Sequence, residues 1–238
     1  MPSPSLNAFK ENLARARELA RIERRLYKDP PRPSEVAAVE GIRAGASVLM
    51  VAALESFLRD RFAEFIDGLV NSKQHLAYAK LPSKLRVANT YNTLDRAMRG
   101  PLRGSSPGKA SRLQAVKQAA SLVHSDHLNP EAFGDSSGGP GKDKIQMLFK
   151  DAGLVNAFDI LRPRFQTRWK LPIAHTYIQD SLEQIVDRRH KAAHGAAALT
   201  ISRADITISI RFLAALAEAI DIELRAHQKR VARSARTA

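Results

Sequence analysis

The sequence predicts an all-α fold, a multi-helix bundle of roughly six to eight helices. Apolar residues recur at spacings of three and four along most of the chain, which is the period of an amphipathic helix. The two runs with β character, ALTIS at 198–202 and TISI at 207–210, are too short and too isolated to build a sheet. No repeat at a longer period is visible.

Length and composition are those of an ordinary globular protein. The 238 residues suit one large domain or two small ones. Hydrophobic residues make up 44% and charged residues 26%, and cysteine is absent. A disulfide framework, a thiolate nucleophile and a cysteine-based zinc site are therefore excluded.

The charge is strongly basic. Thirty-eight Lys and Arg against 24 Asp and Glu give a net charge of +14, which favours polyanionic partners such as RNA. Part of the excess lies near the termini, at 13–25 and 225–236, where we expect frayed ends, and a solvated basic surface is the alternative explanation.

Neither the N-terminus nor the longest apolar run of the chain suggests a membrane protein. The N-terminus lacks the apolar core of a signal peptide. The longest apolar run, ASVLMVAAL at 46–54, is shorter than the roughly 20 residues that span a bilayer. We therefore expect a cytoplasmic protein without a membrane partner.

The first elements are two helices separated by a proline-rich break. The periodicity predicts a helix over 6–28, and PPRPS ends it, with Ser34 as the predicted N-cap of a helix from Glu35 to Leu69. That second helix carries a broad apolar stripe and is the predicted core helix. We divide the chain into a basic helical extension, 1–34, and a helical domain, 35–238.

The middle of the chain alternates helices and loops. One or two helices are expected over 73–99, with Pro82 at a boundary. The segments that follow are a loop at 100–110, a helix at 111–124, a Gly-Ser-Pro loop at 129–143, a helix at 144–154 ending at Gly153, and a less regular stretch that contains Pro163, Trp169 and Pro172.

Two helices close the chain. The first covers 176–195, with Gly195 at its C-terminal cap because glycine adopts a left-handed conformation freely. Ser202 then caps a long final helix, which has Asp205 in its first turn.

The stretch DRRHKAAHG at 187–195 is the candidate site, and it has three interpretations. Basic residues are common in the last turn of a helix, where they complement the macrodipole. His190 and His194 share a face as paired metal ligands do, but the positive charges around them oppose a divalent cation. Third, histidine can transfer protons and arginine can bind phosphate oxygens, which suits cleavage of RNA without a metal.

Helix geometry supports the third interpretation only in part. At about 100° per residue, Asp187 and His194 fall on nearly the same face, with His190 and Lys191 close by. Arg189 is about 140° away from His194, so the spacing does not guarantee that they converge. One histidine per chain also leaves either the acid or the base unfilled, and a symmetric dimer would supply the second copy.

Three features of the chain resemble the HEPN superfamily, and its RiboL-PSP-HEPN-like branch in particular. Arg189-x-x-x-x-His194 matches the R-x4-6-H motif of the superfamily, with the polar His190 directly after the arginine. The segment VAALESFLRDRF at 51–62 is similar to an early core helix that carries a glutamate, here Glu55. A short loop then leads into a long closing helix. The resemblance covers about residues 40–225.

The resemblance implies an α-helical homodimer in which two motifs line one cleft. It implies a metal-independent endoribonuclease that uses no cofactor and acts in a toxin or phage-defence setting, with a cognate inhibitor or defence-system partner. His194 would transfer protons, Arg189 would bind the phosphate, and Glu55 would orient them, although Glu55 also fits a polar-face glutamate. Arg188, His190 and Lys191 would bind substrate, or Arg188 and Lys191 would be helix-end cations. The alternative is a non-catalytic HEPN module that binds nucleic acid, nucleotide or a protein partner.

Overall fold

The computed structural model of the chain describes residues 2–72, 76–99, 109–133, 139–193 and 201–235. This part of the chain contains eight α-helices and no strand, which confirms the all-α prediction. The helices are α1 (Pro4–Leu26), α2 (Val36–Val70), α3 (Ser83–Arg99), α4 (Lys109–His124), α5 (Lys142–Asp151), α6 (Ala157–Trp169), α7 (Tyr177–Ala193) and α8 (Arg203–Ser234).

The helices form two compact units, each of which gathers distant segments of the chain. Unit 1 contains residues 1–58, 138–145 and 158–222, and therefore α1, the first part of α2, α6, α7 and most of α8. Unit 2 contains residues 59–137, 146–157 and 223–238, with α3 and α4. The division of the chain at residue 34 stays a prediction.

Helix α1 is an integral part of unit 1. Its N-cap is Ser3, whose hydroxyl accepts a hydrogen bond from the Leu6 amide at 3.1 Å. Leu13 and its apolar neighbours on the same face are buried, and the ring of Phe9 lies 5.2 Å from that of Phe57. The expectation of frayed basic ends is wrong, because 13–25 lies inside α1 and 225–234 inside α8.

Helix α2 begins differently from the sequence prediction. A single 3-10 turn, Pro33–Glu35, precedes it, and the Glu35 carboxylate accepts a hydrogen bond from the Arg32 amide at 3.1 Å. Ser34 lies within this turn and is not the N-cap of α2. The proline-rich segment prefers extended backbone up to Arg32, so the chain turns before it enters the α-helix.

Helix α2 is long and apolar over a wider range than the run at 46–54, from which we expected no membrane-spanning segment. By length and composition alone, the continuous helix Pro33–Val70 could cross a membrane, and 33% of its most apolar window is buried. Core helices of soluble proteins have the same properties. The absence of a membrane partner therefore stays a prediction.

Helix α6 is an element that the sequence did not predict. It continues through Pro163, although proline removes one backbone hydrogen bond from a helix interior. Its buried side chains recur at helical spacing, and Phe165 and Trp169 pack in an aromatic cluster with Tyr177 and Phe212. Burial of these large rings outweighs the lost hydrogen bond.

The other predicted boundaries lie between residues 129 and 153. Helix α5 starts at Lys142, so the loop expected at 129–143 is too long, and Pro130–Phe133 forms a 3-10 turn. Gly153 has a φ of +90°, which agrees with its predicted place after a helix. His227 stacks on Phe65 with ring centroids 5.5 Å apart and donates to the Ala152 carbonyl at 2.9 Å.

Candidate functional site

The candidate motif occupies the last turns of α7, in unit 1. Ile178, Leu182 and Ile185 are buried at helical spacing and fix which face of α7 points into the unit. Asp187 to Lys191 follow in the last turns, where basic side chains complement the helix dipole. The predicted proton-transfer residue His194 and the predicted cap Gly195 lie outside the described residues.

Arg188 links the end of α7 to the beginning of α8. Its Nη2 lies 2.8 Å from Oδ1 of Asp205, and its Nη1 donates to the Ser209 hydroxyl at 3.4 Å. The side chains of Arg188 and Asp205 are 29% and 30% exposed, so the ion pair is partly shielded from water. In the structure Arg188 therefore holds the end of α7 against the beginning of α8. A role of Arg188 in substrate binding stays a prediction.

Asp205 both caps the beginning of α8 and pairs with Arg188. It forms a capping box with Ser202, whose amide and hydroxyl donate to the Asp205 carboxylate at 3.0 and 2.7 Å. Burial raises the pKa of Asp205, but the hydrogen bonds from Ser202 and the charge of Arg188 outweigh this, and the pKa is lowered. The sequence predicts the cap but not the ion pair, because the packing of α7 on α8 is not readable from spacing.

Arg189 has the opposite environment to Arg188. The residue is half-buried, and its Nε is buried without a hydrogen-bond partner among the residues that the structure describes. A buried donor without an acceptor costs about 1–3 kcal/mol. A bound phosphate oxygen would satisfy this donor and recover that cost, and phosphate matches the planar fork of arginine.

His190 and Lys191 face away from this donor. His190 is exposed and, with Asp187 and Glu183, lines a cavity of about 460 Å³ that Arg189 does not line. Lys191 pairs with Asp187 at 2.7 Å, and both side chains are more than half exposed. Two of the three predicted substrate-binding residues, His190 and Lys191, are therefore on a different side of α7 from Arg189.

The other wall of this cavity is the beginning of α5. Lys142 lines the cavity and pairs with Glu183, which also lines it, at 2.8 Å. The hydrogen bond that Lys142 donates to the Glu183 carboxylate raises the pKa of Lys142. The lining of the cavity thus contains both cations and carboxylates, unlike a purely basic phosphate site.

Glu55, the predicted orienting residue, is half-buried on α2 in unit 1. It already has an interaction partner within the chain. Its role in orienting Arg189 or His194 stays a prediction.

A buried ion-pair cluster that the sequence analysis missed precedes α8. Glu23 of α1 is 2% exposed and accepts hydrogen bonds from Arg43 at 2.7 Å and from Arg203 at 2.9 Å. Arg43 also donates to the carbonyl of Ile201 at 3.1 Å. Burial alone would raise the pKa of Glu23, but the hydrogen bonds from both arginines lower it. The cluster fixes the first residues of α8, on which Arg188 packs.

Comparison with known proteins gives one family. A sequence profile described as RiboL-PSP-HEPN matches residues 10–226, a range that includes the whole of α7 and begins inside α1. The match is longer than the resemblance at about 40–225, and it includes most of the basic N-terminal helix. No curated protein and no solved structure gives a significant match.

Proposed function

The chain belongs to the RiboL-PSP-HEPN family, and from that premise we propose that it is a metal-independent endoribonuclease. The observation that carries the proposal is the Nε of Arg189, a buried donor with no acceptor in the described part of the chain, at the arginine of the R-x4-H motif. A phosphate is the ligand that satisfies such a donor best.

The proposed reaction is an intramolecular transfer at phosphorus. The 2′-hydroxyl of RNA loses its proton to a base and attacks the neighbouring phosphorus, and the bond from phosphorus to the 5′-oxygen breaks. His194 of one protomer accepts the first proton, and His194 of the other protonates the leaving oxygen, since each chain supplies one copy. Arg189 stabilises the charge on the phosphorane oxygens. The products carry a 2′,3′-cyclic phosphate and a 5′-hydroxyl.

The difference between Arg188 and Arg189 supports this assignment. Both carry a permanent charge, but Arg188 already donates to Asp205 and Ser209. The Nε of Arg189 has no hydrogen-bond partner among the described residues, so the Arg189 guanidinium is the one of the two that we assign to the substrate.

Cleavage of single-stranded RNA in the presence of EDTA tests the proposal. The wild type should cleave, His194→Ala should be inactive, and Arg189→Ala should lose about a hundredfold or more of its rate. Arg112→Ala is the matched control, because it removes an exposed arginine from α4 and should cleave normally. Undiminished cleavage by a folded His194→Ala variant would remove the mechanism.

We place this activity in a cytoplasmic toxin or phage-defence setting, with a cognate inhibitor or defence-system partner. The motivation is the family to which the chain belongs. Expression of the wild type should then arrest growth of a bacterial host, and His194→Ala should not. Equal toxicity of the two proteins would contradict this setting.

A second candidate function is non-catalytic binding of nucleic acid, nucleotide or a protein partner. The cavity beside His190 favours it, since about 460 Å³ lined by both signs of charge could hold a nucleotide. It predicts salt-sensitive RNA binding without any product.

A further inference from the structure

A groove on the surface of unit 1 has a basic lining that the α7 motif does not explain. It lies between α1, α6 and α8 and has a volume of about 310 Å³. Of the residues that the structure describes, three arginines line it, Arg17, Arg168 and Arg211, against one carboxylate, that of Glu218. Ile210 and Ala214 form part of an apolar floor between the charges. We call this feature the α1–α8 groove.

Among the described residues of the lining, the one carboxylate, that of Glu218, is already neutralised. Oε1 of Glu218 lies 2.7 Å from Nζ of Lys10, and its Oε2 lies 3.0 Å from Nε of Arg168. Two cations therefore share one anion, so the groove keeps a net positive charge. This excess of positive charge over negative charge attracts anions to the groove.

The cations of α1 form a regular row. Lys10, Arg17 and Arg24 are spaced by seven residues, which places them on one face of the helix. Lys10 reaches Glu218 near the middle of α8, Arg17 lines the groove, and Arg24 donates to Thr207 near the start of α8 at 3.4 Å. At about 1.5 Å per residue the row is roughly 21 Å long, which suits a chain of phosphates better than a single phosphate.

Arg211 faces this row from α8 and is held in place. Its guanidinium lies 4.3 Å from the centre of the Trp169 ring and donates to the Trp169 carbonyl. Trp169 is itself fixed in the aromatic cluster of α6, α7 and α8. An arginine has five N–H donors, and within the described residues Arg211 uses them only on that carbonyl. The remaining donors are preorganised for phosphate oxygens.

The groove is separate from the site at the end of α7. Arg188 contacts α8 through Asp205 and Ser209, whereas the groove uses Thr207, Arg211 and Ala214. At about 100° per residue these two sets lie on opposite sides of α8. A strand bound in the groove is thus an additional contact and not the one that is cleaved.

We propose that the α1–α8 groove is a second RNA-binding surface, which holds the phosphates of single-stranded RNA away from the α7 motif. Arginines bind the phosphates, and the apolar floor accepts sugar or base edges. This proposal rests on the proposed function for its choice of RNA as the polyanion. It also gives a role to the basic N-terminal helix, which the motif at 189–194 leaves unexplained.

The test is the salt dependence of RNA binding, measured by fluorescence anisotropy with a labelled 2′-O-methyl RNA that cannot be cleaved. Arg17→Gln/Arg211→Gln should lower the affinity about tenfold and the slope of log K against log salt by roughly 0.7 per arginine. Arg17→Gln alone should show half of the slope change, and because Arg17 is exposed, this variant should fold.

The matched control is Arg15→Gln/Arg112→Gln. It removes two exposed arginines that do not line the groove, and Arg15 lies on the opposite side of α1 from Arg17. Affinity and slope should stay close to those of the wild type. Equal effects of the control and groove variants, or RNA binding unchanged by the groove substitutions, would overturn the proposal. Unchanged binding is the result expected if the groove contacts a protein partner.

The binding assay separates this proposal from the nuclease assignment. If no protein cleaves RNA but the groove substitutions still weaken binding, the nuclease assignment fails and the groove stands. If His194-dependent cleavage is present but the groove substitutions leave binding unchanged, the groove proposal fails and the nuclease assignment stands.

Discussion

Two arginines that are adjacent in the sequence have opposite environments in the fold. Arg188 is neutralised by Asp205, whereas the Nε of Arg189 is buried with no partner among the described residues. Identical side chains in a basic stretch give no sequence signal that separates them. The separation arises because α8 passes one side of α7 and presents a carboxylate there.

Their difference predicts different effects on stability. Arg188→Ala should lower the free energy of unfolding by about 1–2 kcal/mol, because it leaves the half-buried Asp205 without its ion-pair partner. Arg189→Ala should have a smaller effect, since it removes a buried donor that is already unsatisfied. Urea denaturation measures both. A larger loss for Arg189→Ala would contradict a buried, unsatisfied Nε at Arg189.

The buried Glu23 predicts a pH dependence of stability. Its pKa is lowered in the folded protein, so its contribution is complete above the ordinary glutamate pKa of about 4.3 and is lost as the pH falls below it. Glu23→Gln should lower the free energy of unfolding at neutral pH by about 2–4 kcal/mol. It should also make this free energy fall less steeply as the pH is lowered into the acid range. Exposed Glu11→Gln is the control and should change neither. An equally steep fall in Glu23→Gln would contradict the role of the cluster.

At the scale of elements, apolar spacing predicts helices well and helix starts less well. Helix α7 begins within one residue of its predicted start because its apolar period is regular and uninterrupted. The sequence does not predict helix α6, because Pro163 favours irregular structure, whereas the burial of the aromatic residues of α6 decides the outcome. The prediction of Ser34 as an N-cap is wrong because composition does not reveal the 3-10 turn at Pro33.

The proline within α6 gives a prediction about that element. Pro163→Ala should raise the free energy of unfolding by about 1–2 kcal/mol, because it restores a backbone donor within a helix whose other contacts remain. Pro163 is exposed, so no packing is lost. The comparison is with Pro172→Ala, which lies outside any helix. A destabilised Pro163→Ala variant, measured by thermal unfolding, would show that the helix does not gain from that donor.

At the scale of the whole molecule, the sequence was sufficient for the fold class and the family. A motif of two residues and a pattern of helices identified the branch that the family profile matches over 10–226. The sequence did not show the cluster of Glu23, Arg43 and Arg203 or the row of cations facing Arg211. These contacts join residues far apart in the chain, and only the packing of helices brings them together.

The proposed mechanism requires two copies of the chain. One histidine cannot serve as base and acid in the same step, so the active species should have the mass of two 26.2 kDa chains. Sedimentation equilibrium measures this mass, and specific activity should fall on dilution below the dimer dissociation constant. Full activity in a protein that sediments as a monomer would contradict the shared site.

The chemistry of the RNA ends distinguishes attack by the 2′-hydroxyl from other routes of cleavage. Cleavage by the wild type in EDTA should leave a 2′,3′-cyclic phosphate and a 5′-hydroxyl, which mass spectrometry of a short product distinguishes from other ends. A 2′-deoxy nucleotide at the cleaved position should block the reaction, because the nucleophile is then missing. Products with a 3′-hydroxyl and a 5′-phosphate, or cleavage at the 2′-deoxy position, would contradict an attack by the 2′-hydroxyl at the site of Arg189 and His194.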